Sequence, residues 1–269
     1  MKNKIKYIVV AIAVLLMAAP SYAAQQSQEE LVKELANPVA ALISVPIQAN
    51  YDEKIGPDED GSVWRVNVQP VVPFSLNSDW NLISRTIVPL IDQTDIPVKG
   101  EGETGIGDIV QTFFFSPARP TSGGVIWAIG PVLLLPTATD EFLGSEKWGI
   151  GPSALVLKQK DSWTYGFLTN HIESVAGESD RDDISLTMIQ PFLSYATKTR
   201  TSIGLSTEST YDWEDEEWTV PITLTVSQML KAGDQIFTVG GGVRYWAEST
   251  DNGPKDWGYR IQVTFLFPK

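Results

Sequence analysis

At 269 residues without a cysteine, the chain can form one large β domain or two ordinary ones, and it excludes a disulfide scaffold, a thiolate metal site and a cysteine nucleophile. A formal charge of −13 argues against a nucleic-acid partner, which needs a basic footprint. No stretch reaches the roughly 18 consecutive apolar residues of a spanning helix.

Residues 1–23 read as a secretory signal peptide. Lys2, Lys4 and Lys6 form a basic head, Tyr7 to Ala19 a short apolar run, and Ser21 and Ala23 the small residues of a cleavage site. Cleavage removes three lysines and no acid, so the mature charge becomes −16. Residues 24–40 read as a periplasmic lead-in, a polar stretch with a helical turn or two that Pro38 ends.

From there the chain reads as strands, with the barrel unit spanning 41–269. Twelve runs stand out: 41–51, 62–75, 80–91, 105–115, 124–136, 148–158, 163–172, 184–195, 200–210, 218–229, 235–246 and 257–267. In the second, Trp64, Val66, Val68, Val72, Phe74 and Leu76 share a face opposite Arg65, Asn67, Gln69 and Ser75. In the last, Trp257, Tyr259, Ile261, Val263, Phe265 and Phe267 oppose Gly258, Arg260, Gln262 and Thr264. The fifth run is apolar throughout, and the sixth is ambiguous.

Connections alternate between long, acidic loops (52–61, 92–104, 137–147, 173–183, 211–217, 247–256) and mostly tight turns, with 116–123 the longest of the latter. The long ones hold 25 of the 33 acids, against Lys54, Lys99, Lys147, Arg181 and Lys255. That asymmetry is the pattern of outer-membrane barrels, and an even strand count puts both termini on the periplasmic side. The acidic rim serves to solvate the loops or to bridge to lipopolysaccharide through divalent ions; Asp212 to Glu217 lacks the spacing of a dedicated calcium loop. Trp64, Trp80, Trp148, Trp163, Trp218, Trp246 and Trp257 lie at strand ends, as two aromatic girdles would. Pro70, Pro89, Pro131, Pro152, Pro191 and Pro221 fall inside strands, where they demand bulges or breaks.

The segments Asn37-Pro38, Leu42 to Pro46, Gln69 to Phe74, Asp79 to Thr86, Gly105 to Asp108 and Gly130-Pro131 through Thr137 resemble the bacterial outer-membrane family called "MetA-pathway of phenol degradation", often mislabelled neuromedin U. The likeness covers nearly the whole mature chain and is most specific at 69–86 and 105–108. It implies an outer-membrane β-barrel that transports small, hydrophobic or aromatic compounds, with no catalytic or ligand residues to carry over. Pro268 and Lys269 depart from the usual aromatic last residue of such barrels.

On this reading Arg65, Arg85, Arg244 and Arg260 point into the lumen from neighbouring strands, as does Glu208. Two roles stand open: a basic wall that orients anionic or polar solutes, or arginines neutralised by Glu208 and the acidic loops. A twelve-stranded lumen is narrow compared with that of a general porin. His171, the single histidine, reads as an interfacial residue whose same-face partners are Ile184 and Leu186, with Ser185 opposite; this weighs against a phospholipase-like hydrolase. Gly105-Ile106-Gly107-Asp108 lacks the helix and lysine of a phosphate loop and reads as a strand start. The expectation is an all-β, twelve-stranded antiparallel barrel in the outer membrane of a Gram-negative bacterium. It acts as a passive channel or transporter with no catalytic residue, metal or cofactor; the alternatives are a hydrolase and a structural or adhesive barrel. Its partners are outer-membrane lipid, lipopolysaccharide, the barrel-assembly machinery and an unnamed solute.

Overall fold

Side chains of a strand alternate faces, so a sequence with oily residues at every second position builds a sheet with one oily face. The computed structural model describes residue 32 and residues 34–267; the expected signal peptide, Pro268 and Lys269 lie outside them. The strands are β1 (Ile43–Ile55), β2 (Gly61–Val68), β3 (Val71–Ser75), β4 (Trp80–Thr94), β5 (Thr104–Ile106), β6 (Ile109–Pro117), β7 (Val125–Leu135), β8 (Lys147–Lys160), β9 (Trp163–Gly177), β10 (Ser185–Ala196), β11 (Thr201–Thr207), β12 (Ser209–Asp212), β13 (Glu217–Ala232), β14 (Gln235–Glu248) and β15 (Asp256–Phe267).

Each pairs antiparallel with its neighbours, and β15 pairs with β1 from Ile43↔Phe267 to Tyr51↔Tyr259, which closes the sheet. Three staves of the wall are split: β2/β3, β5/β6 and β11/β12. The closed barrel therefore has twelve antiparallel staves. The long strands run further into the predicted loops than expected. β1 continues through Asp52 to Ile55 and β13 begins at Glu217. At 15 residues, β4 and β9 exceed the roughly 9–11 needed to cross hydrocarbon, so the wall stands taller than a bilayer core.

The outward face is a continuous apolar belt that includes Ile129 (54% exposed), Val156, Leu205, Leu224, Val226 and Ile261 (58%). A water-soluble chain would have to cover such a surface; acyl chains cover it without cost. Trp64, Trp80, Trp148, Trp163, Trp218 and Trp257 lie exposed on it, several against a second ring, as Trp163 is on Tyr195 at 4.8 Å. Trp246 does not join them. It lies on the same face as Arg244, inside the barrel, so its assignment to a girdle is corrected.

The prolines are accommodated in two ways. Pro70 splits β2 from β3, and Pro191 and Pro221 lie beside the gap at Glu208 that splits β11 from β12, since neither can donate to it. Pro221 also sits at a register shift against β14. Pro131 and Pro152 face each other across β7 and β8, so one position of the ladder lacks both donors.

The interior is not uniform. On β4 and β6–β9 the inward face carries Ile83, Phe114, Ala128, Leu155, Leu157 and Leu168, all buried, with Val39 packed against them. This explains why β7 is apolar on both sides: one side meets lipid and the other meets a core. The expected lead-in turns into the barrel, where Val32, Ala40 and Leu42 pack on Met229 and Leu266 at the end bearing the tight turns. Two cavities of about 250 and 150 Å³ remain beside this segment.

Candidate functional site

The polar interior lies on the opposite sector, β14, β15, β1 and β2, and it starts from alternation on β1. Ser44, Pro46, Gln48, Asn50 and Asp52 take every second position, and Asn50 and Asp52 are each 2% exposed. Directly paired residues share a face, so the registers Asn50↔Arg65 and Asn50↔Arg260 bring Arg65 and Arg260 inward beside Asn50. Arg244 faces Gly258, whose missing side chain leaves space for the Asp52 carboxylate; a Cβ there would lie 2.3 Å from Asp52 Oδ1.

Asn50 is the hub. Its Oδ1 accepts from Arg244 Nη2 at 2.8 Å and from Arg260 Nε at 2.7 Å, while its Nδ2 donates to the Arg65 carbonyl at 3.4 Å. Arg244 Nη1 donates to Asp52 Oδ2 at 3.0 Å, and the Trp246 indole donates to Asp52 Oδ1 at 2.9 Å. The Arg244 guanidinium lies 5.4 Å from the Trp246 ring, so the tryptophan both binds its carboxylate and stacks near its charge. Arg260 holds Glu208 through both terminal nitrogens, at 3.4 and 3.1 Å, and Arg244 stands 3.8 Å from the same carboxylate.

The four arginines therefore divide. Arg244 and Arg260, 5% and 4% exposed, are locked by Asp52, Glu208 and Asn50. Arg85 sits deeper, opposite Thr112 and Val71, and donates to Gln69 Oε1 at 3.1 Å; Gln69 in turn donates to Gln48 at 2.8 Å. Arg65 is exposed to the lumen, and its guanidinium makes no hydrogen bond or ion pair among the described residues. Neutralisation thus accounts for two of the four, with Asp52, read as a rim acid, supplying half of it. Asn50, Asp52, Gln69 and Trp246 are the site residues that sequence reasoning missed. The signal was the polar alternation of β1, which runs past the point where the first strand was ended.

The mouth is narrowed by the β7–β8 loop. Gly105 and Gly107 leave no room for a side chain because Thr139 and Leu143 lie against them; a Cβ on Gly105 would stand 2.1 Å from Thr139 Oγ1. Asp108 then pins the loop, accepting from the Ala138 and Ser145 backbone at 3.1 and 2.6 Å and from the Ser145 hydroxyl at 2.6 Å. Leu143 packs on Val63 and Ile91, the inward residues next to Arg65 in sequence and register. The Gly-Ile-Gly-Asp segment is thus a strand bulge and a seat for a loop.

His171 lies where its expected partners do not. The register pairs it with Thr187, on the outward face, and Ser185 shares that face opposite Glu173, while Leu186 pairs with Ile172 and points in. The expected partners Ile184 and Leu186, and the placing of Ser185 opposite, are corrected by this one-residue difference in pairing. His171 Nδ1 lies 2.9 Å from Thr187 Oγ1, His171 Nε2 lies 3.2 Å from Glu173 Oε2, and the Trp213 indole donates to Thr187 Oγ1 at 2.8 Å. Among the described residues, no group of three or more His, Cys, Asp or Glu could hold a metal ion.

No family model and no curated protein matches the chain. Among solved structures, an outer membrane channel from Pseudomonas putida F1 superposes with a TM-score of 0.64 over 84% of this chain and 96% of that one, at 14% identity. The beta domain of the Bordetella autotransporter BrkA covers 84% of this chain and 100% of its own, at a TM-score of 0.45 and 10% identity. The first likeness is one of fold: this chain folds as outer-membrane β-barrels do.

Proposed function

We propose that the protein is a passive outer-membrane channel for small solutes, whose route runs along the arginine-bearing sector of the lumen. The observation that carries this reading is a closed wall with an apolar exterior around an interior that keeps a guanidinium, Arg65, open to the lumen. A sheet of this kind that served only as an anchor would have no use for a guanidinium inside it whose donors are left unbonded. The inward-packed Val32, Ala40 and Leu42 and the seated β7–β8 loop occupy part of the lumen, which favours single small molecules over bulk water flow. The resemblance of the sequence adds hydrophobic and aromatic compounds to the candidates. In this orientation the long acidic loops face the cell exterior and both chain ends the periplasm.

The test is conductance of the detergent-purified protein in planar bilayers. Discrete steps support a channel, and a membrane that stays silent sinks the reading. A solute-uptake screen comparing deletion and complemented strains, with aromatic compounds included, then names the cargo.

A second reading has one observation in its favour. The imidazole of His171 bridges a hydroxyl and a carboxylate on the lipid-facing surface, the order in which a base sits between a nucleophile and its orienting acid. Lipid hydrolysis that disappears in His171→Ala would support this hydrolase; its absence from the wild type removes it.

A further inference from the structure

Within the charged sector Asp52 and Glu208 are bonded to Arg244 and Arg260, while Arg85 is bonded to Gln69 and lines a cavity with Glu34. Arg65 stands apart. Its backbone is held, because Asn50 donates to its carbonyl, yet its side chain stands open to the lumen without a hydrogen bond or ion pair among the described residues. The carboxylate that acts on Arg65 electrostatically, Asp52, is hydrogen-bonded to Arg244, so the Arg65 fork keeps its donors open to an anion that enters.

We infer that Arg65 is the recognition group of the passage and that the solute it selects is a small organic monocarboxylate; this rests on the channel reading and names its cargo class. Three features support the choice. The planar fork of a guanidinium matches a carboxylate through two parallel N–H···O bonds, which a spherical ion cannot use. One free guanidinium balances one negative charge, which suits a monoanion better than a phosphate dianion. The residues flanking Arg65 on the inward face are Val63 along β2 and Ile91 across on β4, with Leu143 of the β7–β8 loop against them. These apolar neighbours strip hydration from an inorganic ion without replacing it, whereas an organic acid presents its own apolar body to them, and the charge pair strengthens as water is displaced.

Arg244 and Arg260 take a different part. Their forks are already filled, so they hold Asn50 in place, and Asn50 holds Arg65. Arg85, deeper and bonded through Gln69 to Gln48, offers the released anion a second, weaker station along the same sector.

The experiment uses the full-length protein in planar bilayers, with butyrate and its neutral amide, butyramide, added to a potassium chloride bath. Butyrate should reduce the chloride-carried current of the wild type in a concentration-dependent way, and butyramide should not. In Arg65→Gln the half-effect concentration should rise about tenfold, the loss of one charge-assisted contact, while Arg65→Lys, which keeps the charge without the fork, should fall between Arg65→Gln and the wild type. Ile91→Glu, which places a carboxylate in register with Arg65, should abolish the butyrate effect without touching the arginine, so the inference stays testable if Arg65→Gln fails to form a barrel. Equal butyrate sensitivity in wild type, Arg65→Gln and Ile91→Glu would overturn the assignment and leave the channel standing. Undiminished sensitivity in Arg65→Lys would also overturn it, since the planar fork would then not be what is read. A wild-type protein that conducts nothing would remove the channel reading itself.

Discussion

Ion pairs occur in two places in this barrel, and the same chemistry does different work in each. At the loop end, Lys54, Lys99, Lys147, Arg181 and Lys255 pair with Asp256, Asp60, Asp183, Glu146 and Glu59. Most of these groups stand in water, where salt screens them over roughly 8 Å and side-chain entropy offsets the attraction. Inside the barrel, Arg244, Arg260, Asp52 and Glu208 share partners through Asn50, and all but Glu208 are at most 5% exposed. The rim pairs fasten neighbouring loops, as Lys255 and the Gly56 amide do between the first and last hairpins. The interior pairs position one another, so none can be removed alone without stranding a charge.

The sharpest way to break this contrast is Asp52→Ala. It leaves the Arg244 guanidinium with only the more distant Glu208, at 3.8 Å, and the Trp246 indole without its acceptor, and removal of one partner of a buried pair costs about 3–5 kcal/mol. Urea unfolding of the detergent-solubilised barrel should show the loss, and adding Arg244→Met should recover much of it. An unchanged midpoint for Asp52→Ala would mean that water in the lumen screens the interior as it does the rim.

A smaller effect is expected from Asp108→Ala, which deletes three hydrogen bonds to the β7–β8 loop, each of the kind worth about 1.5–3 kcal/mol when one partner is charged. Because the loop sits at the mouth, the readout is larger and noisier single-channel current with the barrel itself intact. Current indistinguishable from wild type would show that the loop does not bound the passage.

The least effect concerns pH at the rim. Hydrogen bonds from Lys147 and then Ser174 hold the Asp183 carboxyl below its ordinary value, and the hydrogen bond from Lys255 does the same for Glu59. Both carboxyls are depressed in the folded state, so their contribution is complete above the ordinary values of 3.8 and 4.5 and fades as pH falls through the lower folded ones. Limited proteolysis of loops 56–60 and 178–184 should therefore be flat from pH 7 to about 5 and quicken only below about 4. Faster cleavage already at neutral pH in Lys255→Gln, extending to the barrel strands, would show that the rim does more than tether loops.

Period-two alternation made the wall legible in the sequence, because membrane and lumen impose opposite demands on successive residues. Together with apolar runs and turn signals it marked the staves, and on several of them it told the two faces apart. It failed where the two demands coincide. On β7 both faces are apolar, since the inner one belongs to the packed half of the interior, and no pattern in a single strand announces that. Loops assigned from charge density were drawn too wide: Asp52 looked like one more rim acid because Glu53, Asp58, Glu59 and Asp60 follow it, although it continues the inward phase of β1. Trp246 matched a girdle by its place at a strand end, yet its phase is that of Arg244. His171 shows the limit of phase itself, since facing residues across a hairpin depend on register, and one residue of slip exchanged Leu186 for Thr187. Pairing between side chains far apart in sequence, such as Arg244 with Asp52, follows only once the closing seam is known.

That seam joins β15 to β1, the last strand of the sequence to the first. Any partial chain, whether still emerging or clipped near its C-terminus, consequently carries two raw edges with open backbone donors and acceptors, and lipid offers them nothing. Completion is a single late event that depends on residues more than 200 positions apart meeting, as Ile43 meets Phe267, and until then both margins stay unsatisfied.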